Sequence, residues 1–324
     1  MTLTINTNVA SIIAERNLNN ATTGLNRSLE RLSTGYKINH ASDNAAGYSI
    51  ADMWTTQIGS LDIAAANAST GADLLQTAEQ TYGLLTDHLQ RIRDLTVQAA
   101  NGTYGSTSLK AIQSEVEARL REISRIAANS EFNGIKLMAY DHDGDGTGMT
   151  SAGLNLQVGL YANNDSVINL SSNLFKDASV SGLFKGDDDF KNAVKEASGA
   201  TTAPQYNSDA GYKAIAAACA GLKVSGNTFV IGTNSKQMIG FIDNAIEEIS
   251  NRVTQIGAAQ NRVTSALSGI DVQSQNLVSS LSTLRDTDVA DESSKYVQQQ
   301  ILQQASATLL ATANQTPSIA LNLI

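Results

Sequence analysis

Apolar residues recur in the C-terminal part of the chain at alternating steps of four and three positions. The stripe begins at Ile242 and ends at Leu284, and only Gln260 and Ser274 interrupt it. A spacing of 3.5 residues sustained over this length predicts one long helix with a coiled-coil seam. Because the rest of this helix is polar, its stability requires partner helices that cover the stripe.

The N-terminal part of the chain supplies two such partners. The same rhythm runs from Ile50 to Ile92 and predicts a second long helix. Asn101 and Gly102 then mark a turn, and residues 107–128 carry a third amphipathic pattern. We therefore expect three helices from opposite ends of the sequence to form one long antiparallel bundle.

The region between residues 131 and 235 differs in composition from both flanks. It holds 9 of the 16 aromatic residues and 13 of the 24 glycines. Apolar residues alternate with polar ones over residues 154–160 and again over 167–170, which favours short strands. The predicted fold class is mainly α, with an inserted α+β or β-rich domain. A long disordered loop is the alternative for the insert.

Both ends of the chain are amphipathic and are expected to form paired terminal helices, over residues 3–33 and 289–314. The chain then ends on the apolar run PSIALNLI. A single antiparallel pair cannot bury all of this apolar surface, so we expect the pair to pack against copies of itself. The alternative is that both ends fold back on the bundle. The predicted self-assembly residues are Ile5, Val9, Ile12, Leu25, Leu29, Leu32, Ile301, Leu309, Leu310, Ile319, Leu321 and Leu323.

Composition and charge exclude several classes of protein. The formal net charge is −9 and no basic stripe is present, which disfavours nucleic-acid binding. A single cysteine, Cys219, cannot build a disulfide framework or a cysteine zinc site, and we expect it to be a small buried apolar residue. The sequence shows no run of 18 apolar residues, and its first residues lack the pattern of a Sec-type signal peptide.

Candidate chemistry is sparse, and we predict neither an enzyme nor a cofactor. The three histidines lie in different regions, and the HExxH, GxSxG and GxxxxGK motifs are absent. Residues 141–146 match the opening of an EF-hand loop, but its twelfth position, which requires a bidentate Glu, is Ala152. We therefore expect no metal site there and interpret the run as a solvated acidic turn.

Several runs in the flanks resemble a known family. They are the segment from Asn17 to Gly47, the stretch LQRIRDLTVQAANGT at 89–103, the EFNGIKL stretch at 131–137 and the C-terminal ILQQASATLLATANQTPSIALNLI. Together they closely resemble bacterial flagellin over about residues 1–138 and 236–324. Asp43-Asn44 stands where the family usually has two acidic residues, and the usual terminal basic residue is absent.

The resemblance implies a structural subunit that self-assembles into the helical flagellar filament used for motility. It implies an inner core from residues 1–43 and 285–324, an outer helical bundle from 44–138 and 236–284, and a surface-exposed insert over 139–235. It also implies type III export, an extracellular location, and an export chaperone, cap and hook-junction proteins as partners. A hook–filament junction protein is the alternative.

The family also carries a surface recognised by the animal Toll-like receptor that senses flagellin. The matching positions here are Gln90, Arg91, Leu95, Gln98, Glu115 and Arg119. Residues three or four apart share one face of a helix, so Arg91, Leu95 and Gln98 can be presented together. We expect Leu95 to be an apolar anchor that faces outward. The alternative is an ordinary bundle surface with a satisfied Arg–Glu pair.

Overall fold

The structure, a computed structural model, describes residues 8–138, 153–161, 163–184, 188–198, 208–225, 228–231 and 235–321. Long helices dominate the flanks, and shorter helices lie in the central segment. In chain order the helices are α1 (Val9–Thr34), α2 (Ala45–Ala99), α3 (Ser106–Asn129), α4 (Val180–Leu183), α5 (Asp188–Ser198), α6 (Asp209–Cys219), α7 (Ser235–Arg285) and α8 (Val289–Leu321).

Within the described residues, the strands form three separate antiparallel hairpins. They are β1 (Glu131–Phe132) with β2 (Ile135–Lys136), β3 (Leu154–Gln157) with β4 (Val167–Leu170), and β5 (Leu222–Ser225) with β6 (Thr228–Ile231). In the β3–β4 hairpin, Leu156 lies opposite Ile168. The alternating segments of the sequence are thus strands, as predicted.

The chain divides into two compact units. One is built from residues 1–60 and 272–324, and the other from residues 61–271. Two long helices, α2 and α7, contribute residues to both units.

In the unit of residues 61–271, helices α3 and α7 each run antiparallel to α2. The Arg93 guanidinium pairs with Asp243 at 2.5 Å, and the Gln260 amide donates to Glu79 at 2.8 Å. Residue numbers rise along α2 as they fall along α7, which shows the antiparallel direction. Arg91 of α2 pairs with Glu115 of α3, and His88 of α2 contacts Arg119 of α3, so these two helices are also antiparallel. The predicted bundle is therefore confirmed within this unit.

The predicted apolar stripes lie in its core. Every stripe position of α2 from Leu61 to Ile92 is buried, and the stripe of α7 from Ile242 to Ile270 is buried or half-buried throughout. In the other unit the stripe is less covered, since Ile50 is exposed and Leu277, Leu281 and Leu284 are half-buried. The 3.5-residue spacing thus marks the buried face of both long helices.

The described part of the central segment is α+β rather than mainly β. Helix α6 is capped by the Ser208 side chain, which accepts from the Gly211 amide, and eight of its eleven residues are buried. The Phe184 and Phe190 rings stack at 4.8 Å, and Phe241 of α7 meets Phe190 edge-on at 5.4 Å. Aromatic pairs of this kind pack the segment into a core that it shares with α7. The alternative of a structureless loop does not hold for these residues.

The single cysteine lies at the end of α6. Its burial leads us to expect that the free energy of unfolding decreases at alkaline pH. Cys219 is fully buried, as expected from the sequence. Burial raises the pKa of its thiol from 9.0 to about 12, and a hydrogen bond with Thr96 offsets this only in part. Because the folded pKa is raised, the thiol contributes its full stability below about pH 9. That contribution is lost as the pH rises towards 12, by about 1 kcal/mol per pH unit.

We expect Cys219→Ala to flatten this part of the pH profile, measured as the free energy of unfolding between pH 8 and 11. Burial also raises the pKa of Tyr82, so some dependence remains above pH 10. Identical slopes for the variant and the parent chain between pH 9 and 10 would contradict the assignment to Cys219.

Candidate functional site

The two terminal helices, α1 and α8, pair in antiparallel fashion. The Asn8 side chain donates to the carbonyl of Ala313 at 2.7 Å, and Gln303 donates to the Thr22 hydroxyl at 3.1 Å. Asn8 also caps α1 by accepting from the Ser11 amide. The predicted pairing of the terminal helices is therefore confirmed.

The connections next to the pair are fastened to each other. Gly35 ends α1 in the left-handed conformation at φ 76°. Beyond it, Tyr36 forms an antiparallel bridge with Asp286, and the Lys37 amide donates to the carbonyl of Arg285 at 2.7 Å. The Arg285 guanidinium lies 4.2 Å from the centre of the Tyr36 ring, a cation–π arrangement. This junction holds the α1–α2 connection against the α7–α8 connection.

A charged contact lies beside this junction. Glu292, in the first turn of α8, is almost fully buried and lies 3.7 Å from both Arg31 and Lys295. A buried carboxylate is costly unless it is paired. Arg31 pairs with it from α1, whereas Lys295 pairs with it within α8, so the Arg31 contact is the one that joins the two helices.

Small side chains form the seam between α1 and α8. The buried residues of α1 are Ala14, Ala21 and Ser28, which are spaced by seven, and α8 buries Ser306. Sequence reasoning missed this seam because it followed the large apolar residues. The heptad spacing of small residues is the signal that identifies it, since small side chains let two helices approach closely.

The large apolar side chains point away from the seam. The exposed fractions are 58% for Val9, 57% for Ile12, 55% for Leu29, 60% for Ile301 and 62% for Leu309. Leu25, Leu32 and Leu310 are half-buried. Five of the predicted self-assembly residues thus lie on open apolar faces of the pair, where the chain itself leaves them uncovered.

The side chains of four predicted self-assembly residues lie outside the described part of the structure. Ile5 and Leu323 lie outside the described residues, as does the acidic run at 141–146 with Ala152. Ile319 and Leu321 belong to α8, but their side chains lie outside the described part.

The residues predicted to be recognised by the Toll-like receptor occupy neighbouring positions on α2 and α3. Arg91 Nε donates to Glu115 Oε1 at 2.9 Å, and Arg119 Nη2 lies 3.8 Å from the same oxygen. Arg119 also contacts His88 Nδ1 at 3.3 Å. Gln90 and Gln98 are exposed on α2. The ion pair is partly exposed, so its net contribution to stability is about 1 kcal/mol or less.

The predicted orientation of Leu95 is wrong. Its side chain is only 2% exposed, and Thr96 and Ala99 beside it are also buried. A stripe spaced by 3.5 residues describes one seam, whereas α2 contacts both α3 and α7 here and so buries a wider face. Leu95 therefore lies in the core of this unit and is not an outward anchor.

Among the described residues, no cluster of His, Cys, Asp or Glu is suited to holding a metal ion. Among the described helices, none has the length and apolar character needed to cross a membrane.

Comparisons with known proteins agree with this architecture. The family model of the bacterial flagellin N-terminal helical region matches residues 5–142, and that of the bacterial flagellin C-terminal helical region matches residues 239–324. Polar flagellin F of Vibrio parahaemolyticus is 32% identical over an alignment of 385 residues that covers 100% of both chains. Flagellin B of Vibrio cholerae is 32% identical over 375 residues, again covering 100% of both chains.

Among solved structures, the crystal structure of Bacillus cereus flagellin is similar over 67% of this chain and 94% of its own, with 19% identity and a TM-score of 0.41. The family assignment rests on the two family models and on the relatives matched over their full length. This chain therefore belongs to the bacterial flagellin family.

Proposed function

We propose that this chain is a structural subunit of the bacterial flagellar filament and that it self-assembles through the open apolar faces of α1 and α8. Membership of the flagellin family supports the filament role in general. The observation that carries the specific proposal is the exposure of Val9, Ile12, Leu29, Ile301 and Leu309 beside a seam of small residues.

Further copies of the chain are the partner that best accounts for these exposed side chains. Burying one large aliphatic side chain stabilises an assembly by about 1.5–3 kcal/mol. Several such residues lie on one helix pair, and contiguous apolar surface of this kind marks an interaction site. The small seam of α1 and α8 leaves no room for these side chains inside the pair. Packing of pairs from many subunits covers them all.

We propose the division of the chain that the resemblance to flagellin implies. Residues 1–43 and 285–324 form the inner core of the filament, residues 44–138 and 236–284 form the outer helical bundle, and residues 139–235 face the solvent. The family also supports type III export to an extracellular filament, with an export chaperone, cap and hook-junction proteins as partners.

Electron microscopy of the purified chain tests the assembly proposal. We expect the chain, seeded with short filament fragments, to grow filaments many subunits long. Short caps that stop growing at the seed would favour a hook–filament junction protein instead. Failure to add to any seed would contradict both functions.

We further propose that the surface around Arg91 and Glu115 is recognised by the animal Toll-like receptor that senses flagellin. Support comes from the resemblance of these positions to the family and from their geometry, since Arg91, Glu115 and Arg119 lie within one charged cluster. Gln90 and Gln98 are exposed beside the cluster.

Charge reversal tests this surface. We expect Arg91→Glu to lower receptor activation by about 30-fold, the equivalent of about 2 kcal/mol of binding, because it places two carboxylates side by side. The measurement is activation of receptor-expressing cells by monomeric protein. Arg125→Glu is the matched control, since Arg125 is an exposed arginine of α3 paired with Glu122. Equal losses in both variants, or none in Arg91→Glu, would contradict the proposed site.

A further inference from the structure

A short segment of the insert is bound by its backbone to the long helices. This segment, residues 174–182, is called the strap below. The Tyr82 hydroxyl of α2 donates to the carbonyl of Leu174 at 2.8 Å. Arg252 Nη1 of α7 donates to the carbonyls of Lys176 at 3.0 Å and Asp177 at 3.3 Å. Three carbonyls of the strap, at residues 174, 176 and 177, are thus held by side chains from two helices.

The arginine that holds the strap is itself buried. Its side chain is 5% exposed, and its Nη2 and Nε lie 3.1 and 3.3 Å from Glu248 Oε1. Its guanidinium carbon lies 6.0 Å from the centre of the Tyr82 ring. A buried guanidinium requires acceptors for its donors, and a single carboxylate oxygen cannot satisfy all of them. The carbonyls of the strap supply the remaining acceptors.

The strap is also bound on its other edge. The amide of Ala178 donates to the carbonyl of Met138 at 3.1 Å, and the amide of Val180 donates to the Ser124 hydroxyl of α3 at 3.4 Å. Ala178 and Val180 are fully buried. The strap therefore makes hydrogen bonds with α2, α3 and α7.

An independent feature of the sequence fits this arrangement. Gly182 lies in α4, and a Cβ atom at this position would overlap the carbonyl of Asp177, with the carbonyl carbon at 2.7 Å. That carbonyl is one of the two that accept from Arg252. Because the obstacle is backbone, a side chain at residue 182 would displace the acceptor. The glycine thus keeps the strap in reach of Arg252.

We infer that the strap is a brace that ties α2, α3 and α7 together, with Tyr82 and Arg252 as the residues that position it. The brace belongs structurally to the helical unit, although its sequence lies within the insert at residues 139–235. This inference concerns the stability of one subunit and does not depend on filament assembly.

Hydrogen exchange in the monomeric full-length chain tests the brace. In Arg252→Gln we expect protection of the Ala178 amide to fall by about tenfold or more, together with a thermal midpoint lowered by several degrees. Tyr82→Phe is the milder variant, because it keeps the ring and removes only the hydroxyl that binds Leu174. It should weaken protection at Ala178 without loss of helix content. Arg262→Gln is the matched control, since Arg262 is an exposed arginine of α7.

Two outcomes would overturn the brace. One is unchanged protection of Ala178 in both Tyr82→Phe and Arg252→Gln. The other is loss of protection at Ala178 without any change in thermal midpoint, which would mean that the strap does not stabilise the subunit. Gly182→Ala changes the strap itself instead of the helix that binds it. It should lower the protection of Ala178 and the thermal midpoint as Arg252→Gln does. Seeded polymerisation of the same variants is measured separately, so that failure of the brace and failure of assembly can be told apart.

Discussion

Replacing Leu309 with Asp is expected to abolish filament growth while leaving the subunit folded. Leu309 is 62% exposed on α8, so a carboxylate there remains solvated in the monomer and costs the fold little. In an assembly that buries this face, each subunit would instead bury an unpaired charge, at a cost of several kcal/mol per contact. The measurement is seeded polymerisation followed by light scattering and electron microscopy, with circular dichroism to confirm the helices.

The control for this prediction lies on the same helix. Gln304 is exposed on α8, and Gln304→Asp adds the same charge without removing an apolar side chain. We expect it to polymerise, whereas Ile301→Asp should fail as Leu309→Asp does. Filaments of ordinary length from both Leu309→Asp and Ile301→Asp would show that these faces are not buried between subunits.

The helical part of the fold could be predicted because its signals are local and periodic. A 3.5-residue stripe in α7 and α2 identifies the buried face whatever the partner is, and the alternating residues of β3 and β4 identify a hairpin in the same way. The open faces of α1 and α8 were also predictable, since a two-helix pair has too little surface to cover two apolar stripes.

The strap could not be predicted in this way, because its contacts carry no pattern in the sequence. Arg252 binds the carbonyls of Lys176 and Asp177, which precede it in the sequence by 76 and 75 positions. Every residue type has the same backbone carbonyl, so the sequence of the strap does not reveal this contact. A polar arginine on the edge of a stripe looks like an exposed residue. Leu95 was misplaced for a related reason, since a single stripe cannot show that α2 is covered by two neighbours. The seam of Ala14, Ala21 and Ser28 escaped notice because small residues add little to an apolar pattern.

Replacing Ile256 with Asp is expected to have the opposite effect on the subunit, because it disrupts the fold itself. Ile256 is 0% exposed in the core of the unit formed by residues 61–271. An unpaired carboxylate there costs on the order of 3–5 kcal/mol, a large share of the 5–15 kcal/mol that stabilises a typical domain. We expect a much lower urea midpoint and reduced helix content at ordinary temperature.

Two matched variants separate burial from other effects. Gln255→Asp places the same charge on the exposed side of α7 and should leave the urea midpoint nearly unchanged. Ile256→Val keeps the site apolar and should cost about 0.5–1.5 kcal/mol. An unchanged midpoint in Ile256→Asp would mean that the seam does not hold this unit together. The contrast with Leu309→Asp is the sharper result: a carboxylate on the stripe of α7 should destroy the subunit, whereas one on the open face of α8 should destroy only its assembly. If both results are obtained, one chain carries two kinds of apolar surface, one buried within the subunit and one buried by neighbouring subunits.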